Sequence, residues 1–236
     1  MENEYKKSIE EFNKYIKKFD MSNDKVSHKY YHTFRVVDYA KDIAKSENLN
    51  KQDTYIAFLC ALLHDIGRFK QVKEYDTFYD KKSFDHGDVG YEILLENDYI
   101  SKYIQDQESK QIILKSVKNH NKYKIEDNLN EKELFFSKLV RDSDKIDILD
   151  KQKNEINDNS TTIDEDVIKA YKEHRLFKRD GTKRNDATEI VKNLCFIYDL
   201  NFKRSFEILK EKGIIDRKLN VLKQHISKET IDMFER

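Results

Sequence analysis

Proline is absent from all 236 residues, while apolar side chains recur at helical spacing from one end of the chain to the other. Ordinary usage of ~5% would place about a dozen prolines in a chain of this length. The residue that most reliably interrupts a helix is therefore missing. Strand-like alternation is scarce, so the chain reads as all-α. Its length supports a substantial core in one domain with an appended subdomain.

The first stripe is Tyr5, Ile9, Phe12, Ile16 and Phe19, and the next, from about Lys29 to Ser46, aligns His32, Val36, Ala40 and Ile43. Asn50 with Asp53 resembles a capping box, opening a helix that is expected to run to about Ile66 and to stop at Gly67. A loop rich in aromatic and charged residues, Lys70 to Ser83, is expected next. Further helices align His86, Val89, Gly90 and Ile93, then Ile113, Val117 and His120, then Phe135, Leu139 and Ile146 behind a cap of Asn130 with Glu133. Lys151 to Thr162 is polar and reads as a linker. Three or four helices follow, of which Thr188 to Leu200 is the most apolar. The expected organisation is a helical domain over residues 1–150 and a C-terminal helical cap, residues 151–236, packed on it.

Forty-five basic residues balance 45 acidic ones. A general affinity for nucleic acid or an anionic membrane is not expected of such a chain. The opening MENEYKKSIEEF has no apolar core of a signal peptide, and the longest apolar run, Tyr55 to Leu63, falls far short of the roughly 20 residues that cross a bilayer. These features predict a cytoplasmic protein with no membrane partner. Cys60 and Cys195 both lie in apolar helical patterns and read as buried thiols rather than a disulfide.

Within that longest apolar stretch stands His64-Asp65, followed by Ile66 and Gly67. Burying an imidazole and a carboxylate costs several kcal/mol, on the order of the penalty for any buried polar group, unless a metal or hydrogen bonds satisfy both. Three more histidines, His32, His86 and His120, sit where their helices face the core. A lone histidine there is more often a satisfied core residue than a ligand. Four on successive helices favour a metal site. The acidic stretch Arg141 to Asp147 supplies either a solvated helix end with internal ion pairs or one inward aspartate. Periodicity leaves Asp142 and Asp144 both open.

The order His, His-Asp, His, His, Asp resembles the HD-domain superfamily of metal-dependent phosphohydrolases over roughly residues 28–150. The carrying motifs are Tyr31-His-Thr-Phe-Arg-Val36, Leu62-Leu-His-Asp-Ile-Gly67, Asp85-His-Gly87, Asn119-His-Asn121 and Asp144-Lys145. The resemblance implies an HD-domain helical bundle with a C-terminal extension, similar to bacterial HD proteins. It implies that His32, His64, Asp65 and Asp144 hold one divalent ion and that His86 and His120 add a second, bridged by Asp65. Asp144 is preferred to Asp142 because the family's last aspartate directly precedes a basic residue. The ion set is Mn, Fe, Co, Ni, Zn or Mg, since no thiolate takes part.

The implied reaction is hydrolysis of a small phosphorylated substrate, nucleotides included, by attack of metal-bound hydroxide. Asp65 and Lys145 are the expected catalytic residues. Arg35, Arg68 and Lys145 are the expected phosphate contacts. His28 is expected near the pocket mouth or in a supporting role, with His174 and His225 facing solvent. Tyr75-Asp-Thr-Phe-Tyr-Asp80 offers an aromatic surface for a nucleobase, and Lys183-Arg184 a second anion contact. The same ligand order also fits a di-iron oxygenase similar to myo-inositol oxygenase, and a sensor or scaffold that binds metal without turnover.

Overall fold

The most apolar segment becomes the innermost helix. Helix α3 (Lys51–Leu63) buries every residue from Tyr55 to Leu63, so it is apolar on all sides and has to be enclosed by other helices. In the computed structural model, which describes residues 2–178 and 180–234, α1 (Glu2–Ile16), α2 (Asp24–Ser46) and α6 (Gln107–Asn119) pack on it. Helix α4 (Ile66–Tyr75) lies against α2, and α5 (His86–Leu95) bridges α4 and α6. The long α7 (Glu131–Lys151) follows. Its start is closed by the expected capping box, in which Asn130 Oδ1 accepts from the Glu133 amide and Glu133 accepts from the Asn130 amide, each at 2.9 Å. No β-strand occurs among the described residues, so the all-α reading holds.

The chain forms two compact units, Met1–Asp144 and Lys145–Arg236. In the second, α8 (Glu165–Lys172) and α11 (Ile214–Lys223) pack on α9 (Asp186–Leu194), while α11 also meets α10 (Lys203–Glu211) and the short α12 (Lys228–Ile231). Buried Lys218 donates to the carbonyls of Gln152 and Lys153 and to Asn154 Oδ1, which ties down the polar segment after α7. Arg184 donates to Asp164, Asp166 and Asp180 at 2.7–2.8 Å. A guanidinium so engaged closes the turn before α9, which is a structural use of the Lys183-Arg184 pair.

Two boundaries differ from expectation. The helix opened by Asn50 stops at Leu63, because Asp65 leaves the helical region (φ −101°, ψ 18°), and a new helix starts at Ile66. Gly67 is thus inside α4, and that helix occupies nearly half of the expected Lys70 to Ser83 loop. Neither glycine nor proline marks this break, so local propensity carries no signal for it. Toward the C-terminus, the apolar Thr188 to Leu200 run divides into α9 and a 3-10 turn over Cys195–Asp199.

Gly67 has a packing role instead. A Cβ built there meets the His86 carbonyl oxygen at 2.3 Å and the Gly90 amide nitrogen at 2.8 Å, so α4 and α5 touch backbone to backbone. Backbone atoms cannot rotate away from an added methyl. Gly67→Ala is expected to destabilise the first unit by about 3 kcal/mol, against a helix-propensity gain of about 1 kcal/mol. Urea unfolding reads the difference, and a variant as stable as the parent contradicts the close approach.

Candidate metal centre

Helix ends deliver three of the four histidines. His64 follows the last residue of α3 and His120 the last residue of α6, where the final four carbonyls have no partner within the helix. His64 Nδ1 lies 2.7 Å from the Ala61 carbonyl, and His120 Nδ1 lies 2.7 Å from the Val117 carbonyl. Each imidazole therefore donates from Nδ1 to a carbonyl three residues back and turns its Nε2 inward. His86 opens α5, whose N-cap Asp85 accepts from the amides of Gly87 and Asp88. His32 projects from the middle of α2 and Asp144 from α7.

Asp65, 2% exposed, stands at the centre. Its Oδ2 is 3.4 Å from His32 Nε2 and 3.3 Å from His64 Nε2, while its Oδ1 is 3.5 Å from both His86 Nε2 and His120 Nε2. Asp144 Oδ1 joins the first group, 3.1 Å from His32 Nε2 and 3.9 Å from His64 Nε2. Within the pairs, the His32 and His64 Nε2 atoms are 3.3 Å apart and those of His86 and His120 are 3.0 Å apart. The two carboxylate oxygens of Asp65 thus divide the other five residues into two donor groups.

The spacing of these donors suits metal coordination. Bonds of about 2.0–2.2 Å to nitrogen or carboxylate oxygen place neighbouring donors roughly 3.0–3.5 Å apart in octahedral or tetrahedral geometry. The protonation states agree. His86 Nδ1 lies 2.8 Å from Asp80 Oδ2 and donates to it, so both His86 and His120 present bare Nε2 lone pairs to each other and to an anionic oxygen. A cation is the group that resolves such a cluster.

Burial, with the Arg68 charge adding to it and Asp80 opposing, pushes the His86 pKa down to about 3, and burial lowers that of His120. Both rings are neutral, as ligands must be. Burial alone raises the Asp65 carboxyl, yet Lys29 and the surrounding imidazoles outweigh it and hold it well below the usual range. Against the same opposing burial, His32 and His64 hold Asp144 low and His86 and Arg68 hold Asp80 low.

Other expected residues are placed as follows. Arg68 is buried, and its Nη1 donates to Gln71, the Phe78 carbonyl and Asp80, while its Nε lies 3.6 Å from Asp65 Oδ1. Arg35 is half-buried on α2, one turn past His32. Lys145, the first residue of the second unit, pairs with Asp199 at 2.7 Å. Asp142 is buried but belongs to neither donor group. His28 is exposed, with its ring parallel to that of His32 at 6.4 Å. His174 and His225 are exposed. Cys60 and Cys195 are free, buried thiols, and burial pushes each up to about 12.

Three residues escaped the sequence reading. Lys29, one turn before His32, donates to Asp65 Oδ2 at 2.6 Å. Asp80, in the loop read as aromatic, orients His86 and is itself held by Arg68 and Gln71. Arg141, 1% exposed, donates to the carbonyls of Asn119, His120 and Lys122 and so closes the end of α6 that carries His120. The inward position of Lys29 on the His32 face was the available signal, masked by the abundance of lysine.

A family model for the HD domain matches residues 30–152, more than half of the chain and all six donors. The chain belongs to the HD domain family. That family is a superfamily of metal-dependent phosphohydrolases. No curated protein and no solved structure matches the chain.

Two predictions follow from this geometry. Asp80→Asn replaces the carboxylate that orients His86 and is expected to weaken metal binding by about 10–100-fold; titration calorimetry that finds the affinity unchanged contradicts the role. In metal-free protein, neutral buried His86 and His120 are opposed by protonation of the unfolded chain below its pKa of 6.5. Stability is therefore complete above that pH and declines as pH falls below it, down to about 3 for His86, by up to about 1.4 kcal/mol per unit per histidine. Urea midpoints between pH 7 and pH 5 test this, and His86→Gln flattens the slope.

Proposed function

We propose that this chain is a binuclear metal-dependent phosphohydrolase that cleaves a small phosphorylated substrate. The observation that carries the reading is the division of donors by Asp65, with His32, His64 and Asp144 on the side of Oδ2 and His86 and His120 on the side of Oδ1. Divalent ions bound there supply Lewis acidity, which acidifies water and neutralises phosphoryl charge. Asp65 spans the two groups and fixes their separation. Asp80 and the Ala61 and Val117 carbonyls set the tautomers of His86, His64 and His120 before any ion arrives. The nitrogen and oxygen donors suit Mn, Fe, Co, Ni, Zn or Mg.

The reaction needs no protein nucleophile. Cys60, one turn before His64, is a fully buried thiol with a raised pKa. Positive charge for the phosphate is available at Arg68, which is 3.6 Å from Asp65. The lack of any helix long and apolar enough to cross a membrane among the described residues is compatible with a small diffusible substrate.

The test is a panel of phosphomonoesters, phosphodiesters and nucleotides offered to protein stripped of metal and reloaded with Mn, Co, Ni, Mg or Fe(II), with Asp65→Ala alongside. Phosphate release that falls at least 100-fold in the variant is expected. Turnover retained by the variant marks a contaminant. Iron-dependent oxygen consumption without phosphate release replaces the hydrolase reading with an oxygenase, and metal binding with neither activity replaces it with a sensor.

A further inference from the structure

Two cations flank Asp65, one at each oxygen. Lys29 Nζ donates to Oδ2 at 2.6 Å, and Arg68 Nε lies 3.6 Å from Oδ1. Both side chains are more than nine-tenths buried. Arg68 Nε has no hydrogen-bond partner, although its Nη1 is fully engaged. The Phe78 ring lies over both cations, 5.5 Å from Lys29 Nζ and 5.7 Å from the Arg68 guanidinium carbon. Lys29 is one residue ahead of the segment matched by the HD domain model, so the match itself assigns it nothing.

A buried lysine beside donors suited to divalent ions needs a reason. Without metal, its ammonium is the counter-charge of Asp65. Were divalent ions held by these donors, Asp65 would be drawn to them, and the ammonium would face a cationic pocket in which Asp65, Asp144 and Asp80 oppose the ions, Lys29 and Arg68. An unpaired buried ammonium is costly. The ligand that completes the pocket is therefore an anion reaching both the metal groups and Lys29. Coulomb energy scales with ligand charge, so a dianion gains twice what a monoanion gains.

We propose that Lys29 anchors the phosphoryl group of the substrate, with Arg68 Nε as the second donor, and that the substrate is a phosphomonoester rather than a diester. The proposal rests on the two-metal reading above. With the site loaded, Lys29 would hold a phosphoryl oxygen in place of Asp65, and no covalent bond would be made or broken. Phe78 shields the ammonium from water, which strengthens the new contact.

The experiment measures metal stoichiometry and then the affinity of inorganic phosphate, methyl phosphate and dimethyl phosphate for magnesium-loaded protein, comparing wild type with Lys29→Met, Lys29→Gln and Lys29→Arg. Circular dichroism and urea midpoints confirm that the variants fold, and the glutamine variant replaces the methionine variant if the latter does not. The expected result is metal stoichiometry equal to wild type, phosphate binding weakened at least tenfold in the neutral variants, and recovery to within about threefold in Lys29→Arg. With a turned-over monoester, KM rises and kcat stays within a few-fold, the pattern of lost ground-state binding.

Tighter metal binding by Lys29→Met with unchanged phosphate affinity shows Lys29 to be only the counter-charge of Asp65 and overturns the anchor. Dimethyl phosphate bound as tightly as methyl phosphate overturns the monoester assignment. A wild type that hydrolyses monoesters while Lys29→Met does so equally well sinks the anchor and leaves the hydrolase reading standing. A wild type that binds phosphate through Lys29 but turns over nothing leaves the anchor standing and sinks the hydrolase. Failure of the wild type to load metal overturns both.

Discussion

A carboxylate that is 2% exposed governs the first unit. Removing the Asp65 charge from water is costly, and every element around it contributes to the offset. Helix α2 brings Lys29 and His32, α5 brings His86, α6 brings His120, and the break between α3 and α4 brings His64 together with Asp65. Each Asp65 oxygen meets two imidazole nitrogens and one cation. Loss of one partner leaves charge uncompensated in a dry interior, so these elements are coupled through Asp65 as much as through apolar contact.

Backbone hydrogen-bond accounting places the imidazoles. A helix ends with carbonyls that need donors, and here the ends of α3 and α6 use the rings that follow them. The Ala61 and Val117 carbonyls are satisfied by Nδ1 of His64 and His120, which orients both Nε2 atoms toward Asp65. Arg141 takes further carbonyls at the end of α6. Burial then keeps His86 and His120 neutral, so fold and ligand chemistry impose the same protonation state.

The loop between α4 and α5 supports the centre from behind. Asp80 accepts from His86, Arg68 and Gln71, and the Phe78 carbonyl accepts from Arg68. Asp80, Asp85 and His86 lie close enough to resemble a further cation group. The Asp85 carboxylate is already engaged by two α5 amides, Asn121 and Lys122. That cluster therefore reads as the support for His86.

The sequence by itself determined the helical class, through unbroken apolar periodicity and the absence of proline, and it singled out His64-Asp65 with His32, His86 and His120 as polar side chains on apolar faces, while periodicity left Asp142 and Asp144 both open. It could not show that α3 stops at Leu63, because the break lies in the backbone of Asp65, and Gly67, read as the stop, serves the close approach of α4 to α5 instead. Lys29, Asp80 and Arg141 were hidden for a related reason. Their partners lie 36, 6 and about 20 residues away, and nothing in their own segments separates them from the many other charged residues. Periodicity records which side of a helix turns inward. Which atoms then meet, and that the two oxygens of Asp65 face different sets of nitrogens, is decided only when several helices enclose one charge and each of its lone pairs has to find a partner.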